Sequence, residues 1–309
     1  RRMNEALGRP LDSYRNILIG GTNGKGSTSA ALIHLAELTQ VTAGCFTSPH
    51  LISFRERIRI GEELITPSEV IRGVDVIFDS AERAGVTLSF FEATWALAAW
   101  FFEQRQVDWV IWEVGLGGRL DATNVCHPEV SAIVSLSLDH THILGDTLEE
   151  IAAEKMPIFR TDKTALTSAQ GEALHILRSL SPPHLRSISD LMDLDKINDM
   201  MEITSSKRER QVIPSDDLTQ SMMAHTVHGR RNLALAWAIA QAAGWRPPPW
   251  TLDSEQSLWW TQVTWPGRLE YLDGIWLDCA HNPASAHLIA EWLAQYGSRV
   301  ESPHRHLII

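Results

Sequence analysis

The stretch Gly20-Gly21-Thr22-Asn23-Gly24-Lys25-Gly26-Ser27-Thr28 constrains the fold more than any other part of the chain. It follows a short β-rich apolar run, Asn16 to Ile19, and opens a helical stretch, Ser27 to Thr39. In that context a glycine-rich turn aims backbone N–H groups at phosphate, the helix dipole favours negative charge, and Lys25 reaches the outer phosphates. A plain β-to-α turn with a solvated lysine is the competing reading, and the flanking strand and helix weigh against it. The pattern departs from G-x-x-x-x-G-K-[ST]. Gly26 stands where a hydroxyl normally binds magnesium, so the metal must be gripped from elsewhere.

The first half repeats one unit: an apolar run, a polar or Gly-rich loop, then a helical stretch, the alternation of a parallel sheet covered by helices on both faces. Further strands are expected over Val41 to Phe46, Val107 to Trp112 and Val130 to Leu138. Further helices are expected over Pro67 to Ala84, Glu92 to Arg105 and Thr147 to Met156. Thr147 and Glu150 make a capping box, and Pro157 disfavours helix at the residue before it. From Thr161 to His225 the composition assigns no chemistry, although a turn at Ser181 to Pro183 and a charged run at Lys207 to Arg210 stand out. A helix resumes over Arg230 to Ala243, ends at Gly244, and is followed by Pro247-Pro248-Pro249. A second unit starts near Trp265, with a strand at Ile275 to Cys279 and a helix at Pro283 to Gln295.

At 309 residues the chain is long enough for two domains, expected over 1–262 and, incompletely, 263–309. It opens on Arg1 and closes in an unfinished strand, Arg305 to Ile309, as if excised from something longer. The formal charge of −11 provides no basic field for a nucleic-acid backbone or an anionic membrane. The longest apolar run, Ala93 to Phe102, is about half of a membrane span. Cys45, Cys126 and Cys279 are an odd set without a CxxC pair, which suits a reducing, cytoplasmic setting.

Open parallel sheets bind ligands outside the carboxyl ends of their strands, and each such end here carries polar groups. One delivers Thr47-Ser48-Pro49-His50, another Glu113 and Gly115 to Gly118, a third Asp139-His140-Thr141-His142. A hydroxyl, a carboxylate and an imidazole together could replace the missing loop hydroxyl as magnesium ligands. Singly, Ser48 reads as a turn residue, His140 as a core or loop histidine and Asp139 as a turn former.

Four motifs in order, Gly-Thr-Asn-Gly-Lys-Gly-Ser at 21–27, Thr-Ser-Pro-His-Leu at 47–51 with Phe-Arg-Glu-Arg-Ile at 54–58, Glu-Val-Gly-Leu-Gly-Gly-Arg-Leu-Asp-Ala-Thr-Asn at 113–124 and Leu-Asp-His-Thr at 138–141, resemble the folylpolyglutamate synthase/dihydrofolate synthase family of the Mur ligase superfamily. Glu154-Lys155, Trp265-Pro266-Gly267-Arg268 and Leu277 to Pro283 are similar to the same family. The resemblance implies an ATP-binding, P-loop, parallel-sheet domain followed by the start of a Rossmann-like C-terminal domain. It implies a cytoplasmic, monomeric ligase that activates dihydropteroate or a folate tail as an acyl phosphate and joins it to L-glutamate.

Carried over by residue, the resemblance implies ATP contacts from Gly21, Thr22, Asn23, Gly24, Lys25, Gly26 and Ser27, and from Asn232, Arg268, Asp278 and His281. It implies Lys25, Lys155 and His140 as catalytic groups. Magnesium ligands would be Ser48, Glu113, His140 and a carbamylated Lys155, with two magnesium ions and potassium as an option, and Ser53 to Arg57 would border the pterin. From position alone, Lys155 reads as a solvated lysine near a helix C-terminus, Arg268 as a surface residue and Asp278 as a helix-capping acid. Two departures stand out: Met156-Pro157 replaces the usual Ala-Gly, and Arg230-Arg231 brings unexpected charge before Asn232. The competing functions are a cell-wall Mur-type amino acid ligase and a nucleotide-binding remnant without turnover.

Overall fold

The central strands are largely apolar on both faces, so each must be covered on both sides. In the computed structural model, which describes residues 1–180, 184–199, 201, 226–250, 259–272 and 275–296, they are. The turn at Ser181 to Pro183, the Lys207 to Arg210 run and the strand at Arg305 to Ile309 lie outside the described residues.

A short helix α1 (Arg2–Ala6) precedes β1 (Arg15–Gly20), the glycine-rich loop and α2 (Lys25–Leu38). Then come β2 (Ala43–Phe46), β3 (Ile58–Ile60), β4 (Glu63–Leu64), α3 (Pro67–Ala84), α4 (Phe90–Gln104), β5 (Trp109–Glu113) and β6 (Pro128–Ile133). The single turn α5 (Thr141–Leu144), α6 (Leu148–Lys155), β7 (Thr164–Thr167), α7 (Gly171–Leu180), β8 (Leu185–Ser187) and the single turn α8 (Ile188–Leu191) follow. The later elements are α9 (Val227–Ala242), a two-stranded ribbon of β9 (Glu270–Leu272) and β10 (Ile275–Leu277), and α10 (Pro283–Tyr296).

The main sheet runs β4-β3-β2-β5-β1-β6-β7-β8. From β2 to β8 neighbouring strands are parallel, while β3 and β4 run antiparallel at one edge. The expected parallel sheet is therefore a mixed one. Residues 47–57 return β3 beside β2 without a crossover helix, and only an antiparallel neighbour can be reached that way.

Successive residues of β1 feed opposite cores. Leu18 joins Phe46, Trp112 and Phe102 on the face covered by α3, α4, α6 and α7. Ile17 and Ile19 join Ile111, Leu32 and Leu235 under α2 and α9. Thr66, Ser89 and Thr147 each cap a helix in a reciprocal box with Glu69, Glu92 and Glu150. Cys45 and Cys126 are buried and Cys279 is half-buried, all as free thiols. Among the described residues no helix is long and apolar enough to cross a membrane.

The strand expected over Val130 to Leu138 ends at Ile133. The chain beyond it turns its hydrogen bonds to the glycine-rich loop: Thr22 N–H donates to the Ser135 carbonyl at 2.9 Å, and Asn23 N–H donates to Ser135 Oγ at 2.9 Å. The polar residues after Ile133 thus hold the loop in place instead of lengthening the sheet.

β1 and β5 are also tied by a buried amide. Asn16 accepts from Trp112 Nε1 at 2.8 Å and donates to the Leu11 and Tyr14 carbonyls at 3.1 and 3.2 Å. Replacing Asn16 with Ala leaves those groups unpaired in the core, so urea unfolding of Asn16→Ala should show a loss of about 1–3 kcal/mol. Unchanged stability would contradict this role.

Candidate active site

The carboxyl ends of β1, β2, β5 and β6 open on one cavity of about 230 Å³. Every nucleotide, metal and catalytic residue expected from the sequence lines it: Gly21 to Ser27, Ser48, Glu113, His140, Lys155, Asn232, Arg268, Asp278 and His281.

The glycine-rich loop supplies its floor. Gly24 adopts φ +85°, and a Cβ there would lie 2.8 Å from both Asn232 Oδ1 and Val134 Cγ1, so the position admits only glycine without rearrangement. It ends the loop as the N-cap of α2, which has no side-chain cap, so the leading N–H groups of that helix are left for an anion.

Lys25 donates to the carbonyls of Gly21 and Thr22 at 3.0 and 2.9 Å. Lys155 donates to the same Gly21 carbonyl at 3.2 Å from the end of α6. Among the described residues neither ammonium has a carboxylate within ion-pair distance. Burial lowers the pKa of Lys25, while the nearby Glu113 charge opposes that shift. Burial and then the Lys25 charge push Lys155 down to about 7. The solvated reading of Lys155 is corrected: the residue is 4% exposed, on a helix that buries Ile151 and Ala152 in the core. Arg119 forks onto Glu154, with Nη2 2.9 Å from Oε1, and its N–H donates to the Glu154 carbonyl at 2.9 Å. Met156-Pro157 continues past Lys155 as a 3₁₀ turn.

Glu113 ends β5 and is 4% exposed. Burial raises its pKa to about 7, with Lys25 opposing the shift, and its Oε2 accepts from Ser48 N–H at 3.3 Å. A carboxylate made costly to ionise in this way suits a hard cation, which would restore its charge. Ser48 and the exposed His140 lie on the same cavity, so the donor types fit a magnesium ion that draws its remaining ligands from water and phosphate. Among the described residues no three His, Cys, Asp or Glu side chains form a ready metal cluster.

The second unit closes the cavity. Asp278 is corrected from a capping acid: its Oδ2 accepts from Leu269 N–H at 2.9 Å, while Asn282 Oδ1 takes the capping bond of α10 from Ser285 N–H at 2.9 Å. Arg268 is half-buried at the cavity and is not a free surface residue. Ser53 to Arg57 does not line the cavity. It forms a ledge beside it, where Phe54 sits edge-on to His50 and Phe90, and Arg57 donates to His50 Nδ1 at 2.7 Å.

Sequence reasoning missed Asn282 as a bridge. Its Nδ2 donates to Asn23 Oδ1 at 3.0 Å and to Asp139 Oδ2 at 2.8 Å, joining the second unit to the glycine-rich loop. It also missed Ser285, Leu288 and Ile289 of α10, whose helical spacing after Pro283 was the available signal.

No family model matches the chain. The dihydrofolate synthase/folylpolyglutamate synthase of Bacillus subtilis is 33% identical over 303 residues, 94% of this chain and 70% of that protein. A solved FPGS-AMPPCP-folate complex superposes with a TM-score of 0.75 at 27% identity, covering 95% of this chain and 74% of that one. A bifunctional folylpolyglutamate synthase/dihydrofolate synthase with Mn, AMPPNP and L-glutamate bound gives a TM-score of 0.71 at 26% identity, covering 95% of this chain and 70% of that one. On this sequence similarity and this shared Mur ligase-like fold, the chain belongs to the dihydrofolate synthase/folylpolyglutamate synthase family.

Proposed function

We propose that this protein is an ATP-dependent ligase that joins L-glutamate to dihydropteroate or to a folate tail. The observation that carries the proposal is the meeting of Lys25 and Lys155 on one loop carbonyl, in the cavity that also holds Glu113 and Arg268. Lys25, part-buried and with no carboxylate at ion-pair distance among the described residues, suits a polyphosphate. The folate, nucleotide analogues and glutamate named in the solved relatives support the substrate classes.

In this reading the uncapped N–H groups of α2 cradle the phosphates, with Arg268, Asn232, Asp278 and His281 as further nucleotide contacts. Lys25 exchanges its carbonyl partners for phosphate oxygens. An acceptor carboxylate oxygen attacks the γ-phosphorus, the bond to ADP breaks, and an acyl phosphate results. The glutamate amine then attacks the acyl carbon, forming the amide as inorganic phosphate and the amine proton leave. The protein contributes alignment and charge neutralisation. Magnesium held by Glu113, Ser48 and His140 would supply further neutralisation of the phosphates.

Carbamylated Lys155, a second magnesium ion and an optional potassium ion belong to the same proposal. The lowered pKa of Lys155 supports it, since only the neutral amine attacks carbon dioxide, forming an N–C bond and losing a proton. We further assign residues 1–262 to the ATP-binding domain and 263–309 to the start of the glutamate-ligase domain, in a monomeric cytoplasmic enzyme.

The natural protein, incubated with ATP, magnesium, L-glutamate and either dihydropteroate or tetrahydrofolate, should release ADP only when all are present; glutamate-independent release would overturn the assignment. Calorimetric titration with magnesium and AMPPNP should show Lys25→Ala binding at least about tenfold more weakly, and equal affinity would remove the phosphate role of Lys25. Lys155 also gives the chain a pH signature. Between its folded pKa of about 7 and the ordinary value of 10.5 the unfolded chain binds one proton more, so unfolding free energy rises with pH. In carbon dioxide-free buffer the native chain should therefore gain about 1–3 kcal/mol over Lys155→Met between pH 7 and 9. Parallel pH profiles for the two would contradict a buried, titrating Lys155.

A further inference from the structure

Gly26 stands where the related G-K-[ST] loops carry a hydroxyl, and in this fold the space beside it is taken by a side chain from far along the sequence. A Cβ at Gly26 would lie 3.1 Å from Trp265 Nε1, 3.7 Å from Cε2 and 3.8 Å from Cδ1. The indole edge therefore rests against a bare Cα in the first turn of α2. Trp265 is fixed elsewhere as well: it packs against the apolar cluster under α2 and α9, and the Arg59 guanidinium lies over its ring, 5.2 Å from the centroid.

Trp265 also begins a tight turn. Arg268 N–H donates to the Trp265 carbonyl at 3.2 Å, Pro266 follows the tryptophan, and Gly267 adopts φ +67° at the third position. Gly267 N–H donates to Glu270 Oε2 at 2.8 Å, and a Cβ on Gly267 would lie 2.6 Å from Cys279 Sγ and 3.0 Å from Leu51 Cδ1. The turn is thus pinned on both sides. It carries the location of the indole directly to Arg268, which lines the same cavity as the glycine-rich loop.

We propose that Trp265 is a positioning residue for nucleotide binding: seated on Gly26, it sets Arg268 over the phosphate site. Gly26 is then the seat of the indole, and a side chain at that position must push Trp265 aside by a few tenths of an ångström. This rests on the nucleotide reading of the cavity given above.

The test is a double-mutant cycle read as the affinity of the chain for magnesium-AMPPNP by calorimetry. Gly26→Ala improves helix propensity, so any loss it causes cannot come from a weaker helix. In the native background Gly26→Ala and Gly26→Ser should each weaken binding about tenfold, whereas in a Trp265→Ala background each should change it less than about twofold. Trp265→Ala should itself weaken binding about tenfold, Trp265→Phe should recover most of that loss, and Arg268→Ala should add little to Trp265→Ala. Trp265→Leu, which also removes the indole edge from Gly26, replaces Trp265→Ala in the cycle with the same expectation if Trp265→Ala does not fold. Equal losses for the Gly26 variants in both backgrounds, or full affinity in Trp265→Ala, would overturn the inference with nucleotide binding intact. No binding by the native chain would instead overturn the nucleotide reading, and this inference with it.

Discussion

Two lysine side chains, Lys25 and Lys155, donate to the one carbonyl of Gly21, and the rest of the site is arranged around the electrostatic problem they pose. Cations withdrawn from water with only carbonyl oxygens as partners are costly, and the cost falls when an anion enters. The shifts at Lys25, Lys155 and Glu113 are one environment seen from three groups: burial disfavours each charge, and their mutual attraction or repulsion adjusts the result. Charges already in place around the reacting atoms are what transfer of a phosphoryl group demands of a protein.

The sheet makes this convergence possible. β1 lies between β5 and β6, so the glycine-rich loop, Glu113 and the segment ending at Asp139 must leave the sheet side by side. Ser135 and Ser137 then bond to Asn23 and Thr22, which fixes the loop against its neighbour. Lys155 reaches the same carbonyl from α6, which seats Ile151 and Ala152 in the core and carries the Arg119–Glu154 fork on its outer side. The second unit touches the phosphate-binding loop at two points, Asn282 at Asn23 and Trp265 at Gly26, and Asn282 also bonds to Asp139.

Much of this was legible in the sequence because it is local. The helix over Pro67–Ala84 has its own cap, Thr66, and its own left-handed stop at Gly85, and it forms over the expected range. The phosphate loop is likewise written in consecutive residues. What escaped is long-range. The end of β6 at Ile133 was missed because Val134 to Leu136 are apolar enough to extend a strand, while the loop that captures their hydrogen bonds lies over a hundred residues earlier in the chain. The antiparallel edge strands, the burial of Lys155, the bridge at Asn282 and the ledge at Phe54 depend in the same way on partners that no local pattern announces.

The measurement that bears most directly on the shared-carbonyl site is a crystal structure of the chain with magnesium and AMPPNP. The triphosphate is expected along Gly21 to Ser27, with Lys25 Nζ moved from the Gly21 and Thr22 carbonyls onto phosphate oxygen. A nucleotide bound elsewhere, or Lys25 still held by those two carbonyls beneath a bound triphosphate, would contradict it.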